Sequence, residues 1–338
     1  GLFPDQDGDT SEWVEIYNRS SEPVSLSGYY LSDDPENPAQ YALPEQTLGT
    51  GEYLVVWLSG KDTSGGELHA NFGSSVGETL TLTDLSTMRQ DTCTIDGDCP
   101  QDASFSASAD GGVLYYGTPT PGYENAKPYS LAEQTGWFDS GGVFISEVSA
   151  SGDTGDDDWI ELYNGSAGDV SLDGWSLTDD FAEPDKLQLS GVTVSAGSYY
   201  VIDLASAGES AAFGISFEGE SLFLLEPDGR PHNIFRTGVL SAGVTSGRIV
   251  SDETTERVFF SEPTRGESNS SVSFSGYACL PAFSETELYW QDAFSLVIDA
   301  ASDNAVVRYT TDGSYPTEES DVFSGAIDID ESCVVRAV

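Results

Sequence analysis

Apolar and polar residues alternate along several short stretches of this chain, which is the pattern of β-strands. At residues 13–18 the odd positions face one way and the even positions the other, and the residue types favour strands. Residues 53–58 form a nearly continuous apolar run, as expected for a central strand. Many short strands separated by turn-forming residues predict an all-β chain built from β-sandwiches.

The most informative pattern is an internal repeat. Residues 11–34 and 157–180 align without a gap at a constant offset of 146 residues, which takes Trp13 to Trp159. A repeat of this length is one folding unit used twice. The other identical pairs are Glu15/Glu161, Tyr17/Tyr163, Asn18/Asn164, Val24/Val170, Leu26/Leu172, Gly28/Gly174, Leu31/Leu177, Asp33/Asp179 and Asp34/Asp180.

The two copies differ at their beginnings. The second copy starts with an evident strand at 143–148, and the counterpart of that strand in the first copy would begin before residue 1. We therefore expect the first copy to lack most of its leading strand. Its sheet would then carry an unpaired edge, and such edges invite pairing with a neighbouring strand.

The charge of the chain narrows the classes of partner. Fifty-eight acidic residues against 12 Lys plus Arg give a formal net charge of −46. Such a surface repels phosphate backbones and anionic lipid headgroups, so nucleic-acid binding is not expected. Two explanations of the acidic excess stay open: solvation of a protein that works in salty water outside the cell, or binding of divalent cations or basic partners.

The composition also indicates a location. Hydrophobic residues make up 38% of the chain, which is enough to fill several small cores. No run approaches the ~20 apolar residues that a membrane span requires, so membrane insertion is not expected. Four Cys, few Lys and many Gly, Ser, Thr and Asp favour an extracytoplasmic protein, either secreted or on the cell surface.

Three segments of the first copy, WVEIYN at 13–18, VSLSGYYLSDD at 24–34 and GEYLVVW at 51–57, resemble the bacterial lamin-tail domain. That family has an immunoglobulin-like fold. Residues 306–317 and 333–338 resemble the chitobiase/β-hexosaminidase C-terminal domain, a small accessory β-sandwich that is not itself catalytic. The resemblance implies tandem immunoglobulin-like β-sandwiches, three modules in a row. Their expected bounds are 1–126 for the first repeat, 127–141 for a linker, 142–270 for the second repeat and 271–338 for a third module truncated at its end.

An acidic turn near the start of the chain is the best candidate for a metal site. Asp5, Asp7, Asp9 and Glu12 are closely spaced, and calcium prefers carboxylate oxygens on turns. The turn is not an EF-hand loop, because its glycine stands at the fourth position and not the sixth, and Ile16 stands at the twelfth position. The second repeat does not retain the pattern. A solvated acidic turn without metal is the alternative.

Matching strand positions give a candidate ligand-binding set. Glu15 lies beside Trp13 in the first repeat, and Glu161 lies beside Trp159 in the second. Each pair could contact a ligand through a carboxylate and an aromatic ring. The alternative is that each Glu lies on a solvated face or accepts a hydrogen bond from a backbone donor.

The four cysteines predict two disulfides. Cys93 and Cys99 bracket a hairpin-like loop, and Cys279 and Cys333 lie near the first and last strands of the third module. We expect one bridge within each pair, although the sequence alone permits three connectivities.

No catalytic residue is predicted. His69 and His232 are the two histidines of the sequence, they are not equivalent between the repeats, and neither accompanies a nucleophile motif. Carboxylates are so frequent here that pairs of them do not indicate a glycosidase.

Together these features predict a non-catalytic modular protein that serves adhesion or presents a downstream domain. Its partner would be a surface polymer or protein, including a polysaccharide, and no cofactor is expected apart from the candidate calcium ion. One alternative is a carbohydrate-binding accessory region of a polysaccharide-active enzyme, and another is a hydrolase with its site at a domain junction. Trp137 and Phe138 in the linker should dock on a flanking domain and limit relative motion.

Overall fold

The structure is a computed structural model, and every regular element among its described residues is a β-strand. It describes residues 2–107, 112–128, 137–150, 158–205, 213–252, 256–269, 272–277, 280–285, 292–300 and 305–338. Two compact units are present, Gly1–Phe274 and Ser275–Val338. The predicted all-β class is confirmed.

The first repeat consists of short strands that pair antiparallel, except for the parallel pair β6 and β7. In chain order they are β1 (Trp13–Tyr17), β2 (Val24–Ser25), β3 (Tyr29–Ser32), β4 (Tyr41–Ala42), β5 (Thr47–Leu48), β6 (Tyr53–Trp57), β7 (Leu68–His69), β8 (Thr79–Asp84), β9 (Arg89–Thr94), β10 (Ser104–Ala107) and β11 (Val113–Tyr116). Two sheets enclose the core, in the orders β1-β6-β7 and β4-β3-β8-β9. β10 and β11 form a separate pair, and so do β2 and β5.

The second repeat has a larger first sheet. Its strands are β12 (Val143–Ser149), β13 (Trp159–Asn164), β14 (Val170–Ser171), β15 (Ser176–Thr178), β16 (Leu187–Gln188), β17 (Thr193–Val194), β18 (Tyr199–Asp203), β19 (Ser221–Leu225), β20 (Pro231–Arg236), β21 (Thr245–Gly247) and β22 (Val258–Phe260). The two core sheets run β18-β13-β12-β21-β22 and β16-β15-β19-β20. β12 is therefore a central strand, paired on both sides.

The even positions of the alternating strands fill a core in each repeat. In the first repeat, Val56 packs with Leu31 and Leu80 from the facing sheet. In the second repeat, Ile160 and Leu162 are fully buried in the corresponding cluster. Each buried side chain of this size contributes ~1.5–3 kcal/mol of hydrophobic stabilisation.

Identical residues of the repeats make identical buried contacts. Asn18 follows β1 and donates from Nδ2 to the carbonyl of Leu48 at 2.9 Å, and Asn164 ends β13 and donates to the carbonyl of Val194 at 2.8 Å. Each Oδ1 accepts the amide hydrogen of the residue two positions later. The recurrence of Asn is therefore explained by the fold of the turn.

The two repeats are packed against each other within the first unit. Phe3 and Trp57 of the first repeat form one apolar cluster with Phe223 and Ile234 of the second. The ring of Phe3 lies 5.8 Å from that of Phe223 and makes an edge contact at 4.8 Å with Phe181. This contact joins the two sandwiches into one body.

The end of the linker is buried, as the sequence indicates. Trp137 and Phe138 are 8% and 2% exposed and pack with Phe144 of β12. Partly buried Ala103 from the first repeat and Val250 from the second contact the same cluster. The linker residues thus contact both repeats.

The second unit is small. Its strands are β23 (Ala282–Phe283), β24 (Phe294–Leu296), β25 (Ile298–Asp299), β26 (Arg308–Thr310), β27 (Asp321–Val322), β28 (Ile327–Ile329) and β29 (Arg336–Ala337). They pair as β23-β25, β24-β28 and β27-β26-β29. Buried Leu296, Ile298 and Val307 provide its described apolar interior.

Candidate functional site

The acidic turn of the first repeat surrounds a lysine ammonium. Nζ of Lys61 lies 2.5 Å from Oδ2 of Asp5, 2.9 Å from Oδ2 of Asp7 and 3.0 Å from Oδ2 of Asp9. Glu12, the fourth predicted ligand, is exposed. Within the described residues, no group of three or more His, Cys, Asp or Glu could hold a metal ion. Lys61 Nζ thus lies at the place predicted for a calcium ion and pairs with three of the four predicted ligands.

Asp5 organises this turn. Its side chain is fully buried, and its Oδ1 accepts the amide hydrogens of Asp7 at 2.9 Å and Asp9 at 3.0 Å. Burial acts to raise the pKa of Asp5, but the hydrogen bonds from Lys61 Nζ and from these two amides outweigh it. The pKa of the carboxyl consequently lies below its ordinary value, and Asp5 stays ionised.

A serine and a histidine lie behind this cluster without forming a catalytic relay. Oγ of Ser59 lies 2.9 Å from Nδ1 of His69, and Oδ2 of Asp5 lies 3.8 Å from the same nitrogen. In a Ser-His-Asp triad the serine and the aspartate meet opposite ring nitrogens. Here Nε2 of His69 is buried and has no hydrogen-bond partner among the described residues.

A cavity of about 470 Å³ opens where the repeats meet. It is lined by aromatic and aliphatic side chains together with two carboxylates, and the lining includes Phe3, Trp57, Phe181, Asp5 and Glu67. Both carboxylates already have partners, since Oε2 of Glu67 accepts the amide of Gln6 at 2.6 Å. The junction is therefore a groove with an apolar wall and no free acid–base pair among its described lining residues.

Glu15 and Glu161 occupy equivalent structural positions. Oε2 of Glu15 accepts the amide of Gly122 at 2.6 Å, and Oε2 of Glu161 accepts the amide of Gly266 at 2.5 Å. Both glycines lie in the closing tails of the repeats. The structure thus gives each carboxylate a backbone donor, which was the alternative to ligand contact.

The pKa values of these two glutamates are raised above the ordinary value. Burial raises the pKa of Glu161 to about 7, although hydrogen bonds from Ser146 and the amide of Gly266 act in the opposite direction. Burial also raises the pKa of Glu15 to about 7, against the hydrogen bond from Gly122. Both groups therefore exchange protons near neutral pH.

The tryptophans beside these glutamates are covered. Trp13 is partly buried against the cluster between the repeats. Trp159 is 6% exposed, and the guanidinium of Arg265 lies 5.6 Å from the centre of its ring. Arg265 in turn pairs with Asp203. These rings serve packing and are not open platforms for a ligand.

The buried carboxylate of Glu147 was not anticipated from the sequence. Glu147 of β12 is fully buried and accepts hydrogen bonds from the hydroxyls of Thr245 and Thr264 and from the amide of Thr264. The counterpart of Glu147 at the repeat offset is Gly1, so the comparison of repeats gives no signal for it.

Arg248 has the largest fully buried side chain among the described residues and was also missed. Its guanidinium lies between the rings of Phe138 and Phe235, at 4.6 and 4.9 Å. It donates to the carbonyl of Ile234 at 2.8 Å and to Oδ1 of Asn233 at 2.9 Å. Burial lowers the pKa of Arg248 to about 9. The sequence around Arg248 has no periodic pattern that would mark this arginine as buried.

The predicted disulfide between Cys93 and Cys99 is absent, because both cysteines are free thiols. Cys93 pairs within β9 opposite Leu80, and the following turn is held by Asp96, whose carboxylate accepts the hydroxyl of Tyr115 at 2.6 Å. Burial raises the pKa of the Cys99 thiol to about 11 and also raises that of Cys93.

The other predicted bridge involves Cys333, which is exposed and free. Cys279, its predicted partner, lies outside the described residues.

His232 is the second histidine of the chain. Its Nδ1 lies 2.8 Å from Oε1 of Glu226, and its ring contacts the ring of Trp175 edge-on.

In the described part of the chain, no helix has the length and hydrophobicity to cross a membrane.

Comparison with known families gives two matches. The model of the Lamin Tail Domain matches residues 2–98 and 138–238, together more than half of the chain. The model of the Chitobiase/beta-hexosaminidase C-terminal domain matches residues 288–338. No curated protein and no solved structure gives a significant match. The chain therefore belongs to the lamin tail domain family, with two copies of that immunoglobulin-like domain followed by a chitobiase/β-hexosaminidase C-terminal domain.

Proposed function

We propose that this chain is a non-catalytic, secreted or cell-surface modular protein whose paired lamin tail repeats form a stiff spacer for adhesion or for presenting a further domain. The contact between the repeats carries the proposal. Phe3 and Trp57 pack on Phe223 and Ile234, and Trp137 at the linker end is buried as well. A spacer must hold its modules at a fixed separation, and a buried apolar contact does this better than a free linker.

The chemistry of the polar residues supports the same function. Glu15, Glu161 and Glu147 bind the closing tails of the repeats, and Asp5 binds Lys61. Each of these carboxylates therefore already has a hydrogen-bond or ion-pair partner within the chain. The remaining acidic surface, with a net charge of −46, keeps the chain soluble and suits work outside the cell in salty water.

Calorimetry of the full chain tests the spacer. The two repeats should unfold in a single transition, because each buries apolar surface of the other. Phe223→Ala should split that transition, since it opens the contact between the repeats. Phe72→Ala, a matched control in the core of the first repeat alone, should lower the midpoint without splitting it. Separate transitions in the unaltered chain would overturn the spacer.

Retention of the full chain on insoluble polymers then distinguishes adhesion from the presentation of a further domain. Saturable retention of the full chain on one insoluble polymer assigns adhesion, and passage through every polymer assigns presentation. A broad hydrolase screen should stay silent. Turnover that disappears on Glu67→Gln, at the junction cavity, would replace the proposal with a hydrolase.

A carbohydrate-binding accessory role is the second candidate, favoured by one exposed aromatic residue. Tyr315 in the second unit is 72% exposed, and the guanidinium of Arg336 lies 5.8 Å from the centre of its ring. Exposed rings provide a large rigid contact face for a sugar. Tyr315→Ala should abolish retention on polysaccharide if this role applies. Tyr17→Ala, which removes a ring that is 50% exposed in the first repeat, is the matched control.

A further inference from the structure

The cavity at the junction is lined by residues of both repeats. Strand β6 of the first repeat contributes Leu54, Val55 and Trp57, and the turn that follows β15 of the second repeat contributes Phe181 and Ala182. The volume of about 470 Å³ lies within the range of small-molecule pockets, roughly 300–1,000 Å³. A small organic molecule would therefore fit, and it would contact both repeats at once.

Most of the lining is aromatic or aliphatic. Phe3 and Trp57 are almost fully buried, whereas Phe181 is partly exposed. The ring of Phe181 is held by an edge contact with Phe3 at 4.8 Å and by the ring of Phe223 at 5.6 Å. Rings that are already held in place lose little conformational freedom when a ligand packs on them. This part of the cavity suits the apolar body of a ligand.

The polar part of the lining is acidic. It contains Asp5, Gln6 and Glu67, and none of the described lining residues is Lys, Arg or His. The carboxylate of Asp5 is fully buried and paired with Lys61. Glu67 differs, because its side chain is 38% exposed and only its Oε2 accepts a hydrogen bond from the described residues, from the amide of Gln6. Oε1 of Glu67 therefore remains for a hydrogen-bond donor on a ligand.

The surroundings of the cavity also favour a cation. The carboxylates of Asp5, Asp7 and Asp9 lie around the ammonium of Lys61, so together with Glu67 this corner holds four carboxylates and one ammonium. The whole chain has a net charge of −46. A negative potential in a cleft with apolar walls concentrates cations and repels anions. The ligand that complements this cavity is therefore positively charged.

We propose that the junction cavity binds a small organic cation, an amine whose ammonium donates a hydrogen bond to Oε1 of Glu67 and whose aromatic or aliphatic body packs against Phe181 and Leu54. A hydrogen bond between an ammonium and a carboxylate is among the strong ones in proteins. Burial of the body adds a hydrophobic contribution that does not depend on charge. The site rests on the packing of the repeats against each other and not on the spacer role.

Three molecules that share one ring test the charge of the ligand. Benzylamine carries an ammonium at neutral pH, benzyl alcohol is neutral and benzoate is an anion. An NMR titration of the full chain at physiological salt should show saturable binding of benzylamine and no binding of benzoate. Benzyl alcohol should bind about ten-fold more weakly than benzylamine, because a hydrogen bond to a charged group contributes at least that factor.

Two variants locate the site. Glu67→Gln should weaken the binding of benzylamine about ten-fold and leave that of benzyl alcohol unchanged, since glutamine keeps an oxygen for the amide of Gln6. Ala182→Trp places a large ring at an exposed position of the lining and should abolish the binding of both molecules without removing a carboxylate. Glu12→Gln removes an exposed carboxylate outside the lining and is the matched control, with unchanged binding.

The measurements on the unaltered chain do not depend on the folding of any variant. Absence of saturable benzylamine binding, or equal binding of the three molecules, would overturn the cation site. Benzylamine binding that survives Ala182→Trp, or that falls equally in Glu67→Gln and Glu12→Gln, would reveal attraction to the acidic surface alone and would also overturn it.

Discussion

Oε2 of Glu161 accepts a hydrogen bond of 2.5 Å from the backbone amide of Gly266, which lies 105 residues later in the chain. The same contact joins Glu15 to Gly122 in the first repeat, at 2.6 Å. In both repeats the carboxylate of the third residue of a core strand holds the tail that closes the sandwich. The recurrence of this Glu at the repeat offset is therefore a property of the fold.

The Glu161 contact predicts a dependence of stability on pH. Burial raises the pKa of Glu161 from 4.5 to about 7, so the folded state favours the protonated form. The stability that this group contributes is complete below pH 4.5 and is lost as the pH rises through 7. Relative to Glu161→Gln, the unaltered chain should lose on the order of 3 kcal/mol across that range.

Urea unfolding at several pH values between 5 and 7.5 measures this difference. The window avoids Asp84, whose hydrogen bonds to Ser86 and Thr87 lower its pKa to about 2. Glu36→Gln removes an exposed carboxylate on a turn and serves as the control. Parallel stability curves for the unaltered chain and Glu161→Gln would rule out the effect.

The acidic turn should not respond specifically to calcium. Lys61 Nζ already pairs with the carboxylates of Asp5, Asp7 and Asp9, at 2.5–3.0 Å. Thermal denaturation with calcium should match that with magnesium at equal ionic strength, and a rise confined to calcium would contradict the ion-pair cluster.

Removing the lysine tests the cluster directly. Lys61→Met should lower the midpoint of thermal unfolding, because the buried carboxylate of Asp5 loses its counterion. The double variant Asp5→Asn with Lys61→Met should recover part of that loss, since no uncompensated buried charge remains. If the two changes are simply additive, Asp5 and Lys61 are not coupled.

The sequence predicted what depends on local pattern and missed what depends on distant partners. Alternation over Trp13 to Tyr17 and the repeat at Trp159 were sufficient to predict strands, sandwiches and their duplication. Asp5 and its neighbours resemble a calcium turn because their cation, Lys61, lies 56 residues away and no periodicity connects them. The burial of Arg248 had no local signal at all, since burying an arginine is favourable only with partners from several strands.

Arg248 should tolerate no replacement by lysine. Its guanidinium donates hydrogen bonds to four acceptors at the same time: the carbonyls of Ile145, Ile234 and Glu256, and Oδ1 of Asn233. A lysine ammonium has three donors on a flexible stem and cannot stack between two rings as a planar group does. Arg248→Lys should therefore destabilise the second repeat by ~3 kcal/mol, the scale of a broken buried charge network.

Denaturant unfolding with a probe in each repeat measures this loss. Arg19→Lys, at an exposed position of the first repeat, is the matched control and should leave stability unchanged. Equal stability of Arg248→Lys and the unaltered chain would show that the stacked guanidinium contributes nothing beyond its charge.

The acidic surface predicts stabilisation by salt. With 58 acidic residues against 12 Lys plus Arg, the folded chain concentrates like charges that the unfolded chain spreads apart. The Debye length falls from ~10 Å at 0.1 M to ~3 Å at 1 M ionic strength, so added salt weakens this repulsion. The midpoint of thermal unfolding should therefore climb as NaCl is raised over that range. KCl should act equally at the same ionic strength, because screening depends on charge and not on ion identity. A flat or falling curve would show that the acidic excess is not an adaptation to salt and would favour basic partners as its reason.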